Sequence, residues 1–197
     1  MSEQLTAQLQ QVHSLFRQHM NGVGATSMRR KGLSYRISYG IPLYELQSIA
    51  CEFPTDEALA LALLAEDIRE SKLLAMLVMP KEAFTEEMAD RWLDACRTTE
   101  LVEHLSKHLL QYLPNAAEWA EKSMLSDERL RCLAGLQTMS AFLVRHPAYK
   151  SESLRQQVEP LLEQIAVSGD HILHHAAKNL CNRLTDMEAD EVVGQIG

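Results

Sequence analysis

The sequence predicts an all-α protein in which successive helices pair and stack into an α-α superhelix. Three observations support this prediction. Almost every segment after residue 41 places its apolar residues at the helical period. Short polar turns containing proline, glycine or a capping residue separate these segments. Successive pairs of segments together cover about 40 residues, which is the period of helical repeat proteins.

The first predicted helix carries apolar residues at helical spacing from Leu5 to Met20 and ends at the Asn21–Gly22 pair. Most later helices start near a proline or a capping Ser, Thr or Asp side chain. Pro160 is expected to kink or restart the helix in which it falls. The nine later segments begin at or near Pro42, Thr55, Ile68, Thr85, Thr98, Ala116, Ser126, Ser151 and Asp170.

The segment from Glu66 to Met79 has the clearest amphipathic pattern in the chain. It opens with acidic residues, continues into an apolar face and ends at Pro80. Its two adjacent charged residues, Arg69 and Glu70, are predicted to lie exposed on the polar face of this helix, since charged side chains are rarely buried.

Leu33–Ile41 departs from the helical pattern because apolar and polar residues alternate along it. Such alternation is typical of a strand, but no second strand is available to pair with it. We therefore predict an extended connector, and a short hairpin remains the alternative. The side chains expected to be buried are Leu33, Tyr35, Ile37 and Tyr39.

Length and composition fit one globular domain. The chain has 197 residues, of which 46% are hydrophobic and 23% charged. We predict a single domain over residues 1–185 and a solvated acidic tail over 186–197. The start of the chain does not resemble a signal peptide, and no segment has the roughly 20 apolar residues that span a membrane. Four scattered cysteines, without a paired motif, suggest reduced thiols and a cytoplasmic protein, and the lack of an apolar span predicts no membrane partner.

Charge is distributed unevenly along the chain. The net charge is −8, yet residues 1–36 carry +4 and the remainder carries −12. An acidic protein repels phosphate, so any nucleic-acid site must be a local basic patch. Met28–Gly32 is predicted to form a basic loop of this kind. The candidate DNA-binding residues are Arg29, Arg30, Lys31, Arg145 and Lys150.

Two segments carry a resemblance to a known family. Tyr39–Pro42 (Tyr-Gly-Ile-Pro) precedes a helix that begins with Ile68–Ala75 (Ile-Arg-Glu-Ser-Lys-Leu-Leu-Ala). This pair of motifs is similar to one in the AlkD-like DNA alkylation repair family, and weaker similarities extend over roughly residues 25–185. The resemblance implies a HEAT-like repeat solenoid and a function in DNA repair.

Members of that family with glycosylase activity remove alkylated bases from DNA in a concave basic groove. They use tryptophans against the lesion and an aspartate that stabilises positive charge on the sugar, as expected for an oxocarbenium-like transition state. The resemblance places Glu103 at the aspartate and Arg131, or Cys132 after a one-residue shift, at a catalytic arginine. Thr99 and Asn179 stand at the tryptophan positions, so we expect glycosylase activity to be absent or very slow.

Two groups of histidines offer another kind of chemistry. Glu100, His104 and His108 share one helical face, and His171 with His175 forms a second pair four residues apart. Exposed polar faces explain both groups more simply, and no metal or other cofactor is predicted. Two alternatives to DNA binding stay open: a non-catalytic module that binds a protein or peptide in the groove, and a metal-dependent activity.

Overall fold

The computed structural model describes residues 2–30 and 35–185. Within these ranges eleven α-helices are present, together with three short 3-10 helices and no strand longer than one isolated bridge. Every helix in the described ranges is too short or too polar to cross a lipid bilayer. The predicted acidic tail, together with Lys31 to Ser34, lies outside the described residues.

The chain divides into two compact units, Met1–Leu109 and Leu110–Gly197, called here the N-terminal and C-terminal units. The single domain over 1–185 stays a prediction. The helices of the N-terminal unit are α1 (Glu3–Gln18), α2 (Gly22–Arg30), α3 (Leu43–Ala50), α4 (Glu57–Leu64), α5 (Arg69–Val78), α6 (Glu86–Ala95) and α7 (Thr99–His108). Those of the C-terminal unit are α8 (Ala116–Met124), α9 (Arg129–Arg145), α10 (Glu152–Ser168) and α11 (His171–Thr185).

Helices that follow one another along the chain pack as pairs. In the N-terminal unit α4 packs against α5, and in the C-terminal unit α8 packs against α9 and α10 against α11. Apolar side chains form the core of each unit, including the buried Trp92 and Leu63 in one and Leu133 and Met139 in the other. Burying them supplies the main stabilising free energy, roughly 25 cal/mol per Å² of apolar surface.

Side-chain caps fix several helix starts at the positions that the sequence predicts. Thr85, Thr98 and Ser151 each accept a hydrogen bond from the backbone N–H three residues later. At the start of α4 the capping side chain is Asp56, which accepts from the N–H of Leu59 at 3.0 Å. Such caps are worth about 1 kcal/mol each, so they set where helices begin but do not determine the packing.

Three local predictions need correction. Met28, Arg29 and Arg30 do not lie in a loop, because they form the last turn of α2, which the sequence pattern missed. Ile37 is not buried, as its side chain is 43% exposed. Pro160 does not restart its helix, since α10 runs through it from Glu152 to Ser168.

The segment after residue 34 is extended, as predicted. One parallel bridge, outside any strand, joins Ile37 to Ile68, and the N–H of Arg69 donates to the carbonyl oxygen of Ile37 at 3.1 Å. Leu33 lies outside the described residues. The connector therefore lies against the start of α5 and does not enter a sheet.

Candidate nucleic-acid interface

A buried group of charged side chains lies at the start of α5. Arg69 and Glu70 are 2% and 0% exposed, so the prediction of an exposed pair is wrong. The Arg69 guanidinium donates to Glu70 at 3.0 Å and to both carboxylate oxygens of Glu100, at 2.6 and 2.9 Å. A buried charge is stable only when it is paired in this way, so the three residues form one unit, named here the ion cluster.

The ion cluster holds the extended connector through its backbone. The Glu70 carboxylate accepts hydrogen bonds from the N–H groups of Tyr39, Gly40 and Ile41, at 3.0, 3.0 and 3.3 Å, and from the Ser38 hydroxyl at 3.1 Å. Three successive N–H groups can converge on one carboxylate because Gly40 has a φ of 73°, a conformation that favours glycine. The Tyr-Gly-Ile-Pro motif and the Arg-Glu motif are thus two halves of one contact.

Tyr35 connects the connector to α7. Its hydroxyl donates to Glu100 at 2.5 Å and lies 2.8 Å from the hydroxyl oxygen of Thr98, the N-cap of α7. The pKa of Tyr35 is raised above its usual range, mainly by burial and to a smaller extent by the hydrogen bond to Glu100. Burial alone would raise the pKa of Glu100, but Arg69 and then Tyr35 bring it below its ordinary value. Glu100 is therefore a charged structural anchor and is unsuited to give or take a proton near neutral pH.

Exposed cations lie close to this anchored connector. Arg29 and Arg30 end α2 with their side chains exposed, and Arg36 is exposed on the connector. Lys31 lies outside the described residues. We name Arg29, Arg30 and Arg36 the arginine patch; its residues are free to meet phosphate groups of a nucleic acid, the usual partners of guanidinium groups at such surfaces.

Two cavities adjoin the arginine patch in the N-terminal unit. One, of about 300 Å³, is lined by Arg29, Tyr35, Arg36 and neighbouring side chains. The other, of about 290 Å³, is also lined by Tyr35 and Arg36, but it contains both charge signs. Its remaining charged lining residues are Asp67, Lys72, Asp94 and Arg97. Arg36 was not among the predicted site residues; its only sequence signal is the positive charge of the first 36 residues.

The residues predicted by resemblance to be catalytic lie on different units. Glu103 is exposed on α7 of the N-terminal unit, and Arg131 is half-buried on α9 of the C-terminal unit. Thr99 is the first residue of α7, and Asn179 is exposed on α11, with its amide 3.4 Å from His175. Their roles in catalysis stay predictions.

The predicted cations of the C-terminal unit have different surroundings. The Arg145 guanidinium lies 4.1 Å from the centre of the Tyr112 ring and donates to the carbonyl oxygen of Gln111 at 3.3 Å. Lys150 lines a cavity of about 240 Å³ together with Arg183. Both of these Arg145 contacts are with neutral groups, so neither contact compensates its positive charge.

The histidines of α7 form a packed pair. The rings of His104 and His108 are stacked, with centroids 5.8 Å apart, and neither side chain is fully exposed. Burial lowers the pKa of both, to about 4 for His108, so both are neutral near pH 7. The prediction of an exposed polar face is wrong here because Glu100 pairs with Arg69. Over residues 2–30 and 35–185, no group of three or more His, Cys, Asp or Glu side chains could hold a metal ion.

Comparison with known proteins identifies a matching family model and a solved structure with a similar fold. The model of a family described as DNA alkylation repair enzyme matches residues 12–193. A solved structure from "a new family of proteins related to the HEAT-like repeat DNA glycosylases with affinity for branched DNA structures" is similar with a TM-score of 0.75 and 19% identity. The similarity covers 91% of this chain and 76% of that chain, and it confirms the predicted all-α HEAT-like fold. A search of curated proteins gives no match.

Proposed function

Because the chain belongs to the DNA alkylation repair enzyme family, we propose that it binds DNA, with Arg29 and Arg30 contacting backbone phosphates. The observation that carries this proposal is the exposed pair at the end of α2 on a chain with a net charge of −8. On such a chain a local cluster of guanidinium groups is the feature that favours phosphate. The affinity of the similar solved protein for branched DNA makes branched DNA the first ligand to test.

Further cations extend the proposal. Lys31 follows Arg30 in sequence, and Arg145 and Lys150 supply positive charge in the C-terminal unit. Phosphate contacts of this type position DNA but do not read its sequence. We therefore propose binding that depends on DNA structure and salt; the concave groove that the family resemblance implies stays the predicted place of binding.

Charge reversal at the end of α2 tests the proposal. The double variant R29E/R30E is expected to lower the affinity for a DNA junction at least about 10-fold at low salt, because two attractive phosphate contacts become repulsive. The slope of log affinity against log salt concentration should also fall by roughly two. Fluorescence anisotropy with a labelled junction measures both quantities.

The matched control for this experiment is Arg91→Glu, which changes an exposed arginine on α6 in the same unit. It should alter the affinity far less than the double variant. Because the double variant changes the net charge by four and Arg91→Glu by two, a loss of log affinity in Arg91→Glu that is half that of the double variant would show that only net charge matters and would remove Arg29 and Arg30 as contacts. A wild-type protein that does not bind DNA would reject the proposal and favour the predicted alternative, a module that binds a protein or peptide.

We further propose that excision of alkylated purines is absent or very slow. Thr99 and Asn179 offer no aromatic face, while stacking on such faces is typically worth about 1–3 kcal/mol per base. Glu103 also has one more methylene than aspartate, and a misplacement of about 1 Å can cost on the order of 100-fold in rate. Any residual activity is expected to depend on Glu103, with Arg131 as a second candidate.

Release of 7-methylguanine or 3-methyladenine from alkylated duplex DNA measures this activity. The wild type is expected to release bases no faster than they are lost without protein, and Glu103→Gln should remove any excess. Robust release by the wild type would contradict the importance given to the missing tryptophans. Excess release that survives Glu103→Gln would remove Glu103 from the mechanism.

A further inference from the structure

A cavity of about 300 Å³ opens between the last turn of α2 and the connector. Its volume falls at the lower end of the range of small-molecule sites, which is the scale of a single nucleotide. It combines two positive charges with apolar side chains and two hydroxyl groups. The lining residues used below are Met28, Arg29, Tyr35, Arg36, Ile37 and Ser38.

The two charges in this cavity suit a phosphate group. Arg29 reaches it from α2 and Arg36 from the connector, so guanidinium groups approach from two separate elements. Guanidinium donors bind phosphate through paired hydrogen bonds, and two of them balance the charge of a phosphate better than one.

The apolar part of the lining points to more than phosphate. Ile37 is 43% exposed although it is a large apolar residue, and it lies beside Met28 and Tyr35 in the same cavity. The outside of a DNA duplex presents sugar and phosphate, and its bases stay stacked inside. An unpaired nucleotide, in contrast, offers an apolar base face together with a phosphate, and side chains that contact base faces bind single strands without regard to sequence.

The ion cluster holds the walls of this cavity in place. The Tyr35 hydroxyl is fixed by Glu100 and Thr98, and the carbonyl of Ile37 accepts from the N–H of Arg69. The Ser38 hydroxyl donates to Glu70 at 3.1 Å. Because these partners are already ordered, a ligand would not have to order the connector itself, which lowers the entropy cost of binding.

From these observations we infer that the cavity binds one unpaired nucleotide of a DNA strand, with Arg29 and Arg36 on its phosphate and Ile37, Met28 and Tyr35 against its base or sugar. The inference rests on the proposed DNA binding and adds a preference to it. A flap or an overhanging strand end supplies such a nucleotide, and so does a branch point at which a base is unpaired, whereas an intact duplex does not. The cavity thus gives a physical basis for selecting DNA structure without reading sequence.

The experiment compares two labelled DNAs that differ only in an unpaired 5′-phosphorylated extension on one duplex. Wild-type protein is expected to bind the extended duplex about 10-fold more tightly, since contacts with one base are typically worth about 1–3 kcal/mol. Arg36→Gln and Ile37→Asp are each expected to reduce this preference to within about twofold. Circular dichroism and thermal unfolding verify that the variants fold, and both positions are exposed, so replacement should be tolerated.

The control is Arg30→Gln, which removes an exposed charge next to Arg29 that does not line the cavity. It should weaken binding of both DNAs by the same factor and keep the preference. Equal binding of the two DNAs by wild type, or a preference that survives both Arg36→Gln and Ile37→Asp, would overturn the nucleotide site and leave the proposed DNA binding intact. No binding of either DNA would overturn both. Free thymidine monophosphate that binds as tightly as the extended duplex would overturn DNA as the source of the nucleotide.

Discussion

Replacement of Glu70 by glutamine is expected to destabilise the N-terminal unit by about 3 kcal/mol. The Glu70 side chain is 0% exposed, and its two oxygens accept from three backbone N–H groups, the Ser38 hydroxyl and Arg69. Glutamine keeps the shape but turns one oxygen into an NH₂ donor. Whichever way its amide points, a donor then faces a donor, and a buried N–H group is left without a partner.

The midpoint of urea unfolding measures the loss, and hydrogen exchange at Tyr39, Gly40 and Ile41 locates it. These three amides should exchange much faster in the variant, because their acceptor has been weakened. Glu52→Gln is the control, since Glu52 is an exposed carboxylate of the same unit and should change stability by less than about 0.5 kcal/mol. Stability of Glu70→Gln within that same range would show that the ion cluster does not hold the connector.

The burial of Arg69 and Glu70 was the main failure of the sequence interpretation, and its cause is physical. Two adjacent charges at a helix start look solvated when only neighbouring residues are considered. Their partners, the connector amides and Glu100, are roughly 30 residues away in both directions. A local pattern carries no information about such pairing, although the resemblance of both motifs to one family indicated that the two segments belong together.

Helices were predictable where strong local signals agree. Caps at Thr85, Thr98 and Ser151 mark starts that the structure also shows, and the apolar period between them gives the buried faces. The missed helix α2 lacks these signals. It contains two glycines, which cost about 1 kcal/mol each relative to alanine, and only Ala25 within it is buried.

At the candidate site, too, some features could be predicted from local sequence and others depend on long-range contacts. Arg29 and Arg30 could be selected from sequence because a cluster of cations stands out on an acidic chain. Their place on a helix, the neighbouring Arg36 and the cavity between them could not, because the cavity is formed by two segments that long-range hydrogen bonds hold together. Cations are visible in a sequence, but the arrangement that gives them a ligand depends on the tertiary fold.

The second large effect is expected at Gly135, in the middle of α9. In an isolated helix, alanine in place of glycine would stabilise by about 1 kcal/mol. Here an added Cβ would lie 2.2 Å from the backbone nitrogen of Met124 and 2.8 Å from the carbonyl oxygen of Ala120, both on α8. Backbone atoms of a packed helix cannot rotate away as a side chain would, so α8 and α9 must move apart. The clash should outweigh the gain in helix propensity.

We therefore expect Gly135→Ala to destabilise the C-terminal unit by about 3 kcal/mol, with larger losses for bigger side chains. Thermal or urea unfolding measures the loss, and faster exchange of amides in α8 and α9 locates it. Gly22→Ala on α2 is the control, because a Cβ there would meet no atom within 4 Å, so it should not destabilise the protein and helix propensity favours a gain of up to about 1 kcal/mol. A neutral or stabilising Gly135→Ala would mean that α8 and α9 pack less closely than described.

Thiol labelling gives a second readout of the same separation. The Cys132 thiol on α9 is buried and donates to the carbonyl oxygen of Met124 on α8 at 3.2 Å. Because Gly135→Ala should move the two helices apart, it should also expose this thiol to labelling reagents.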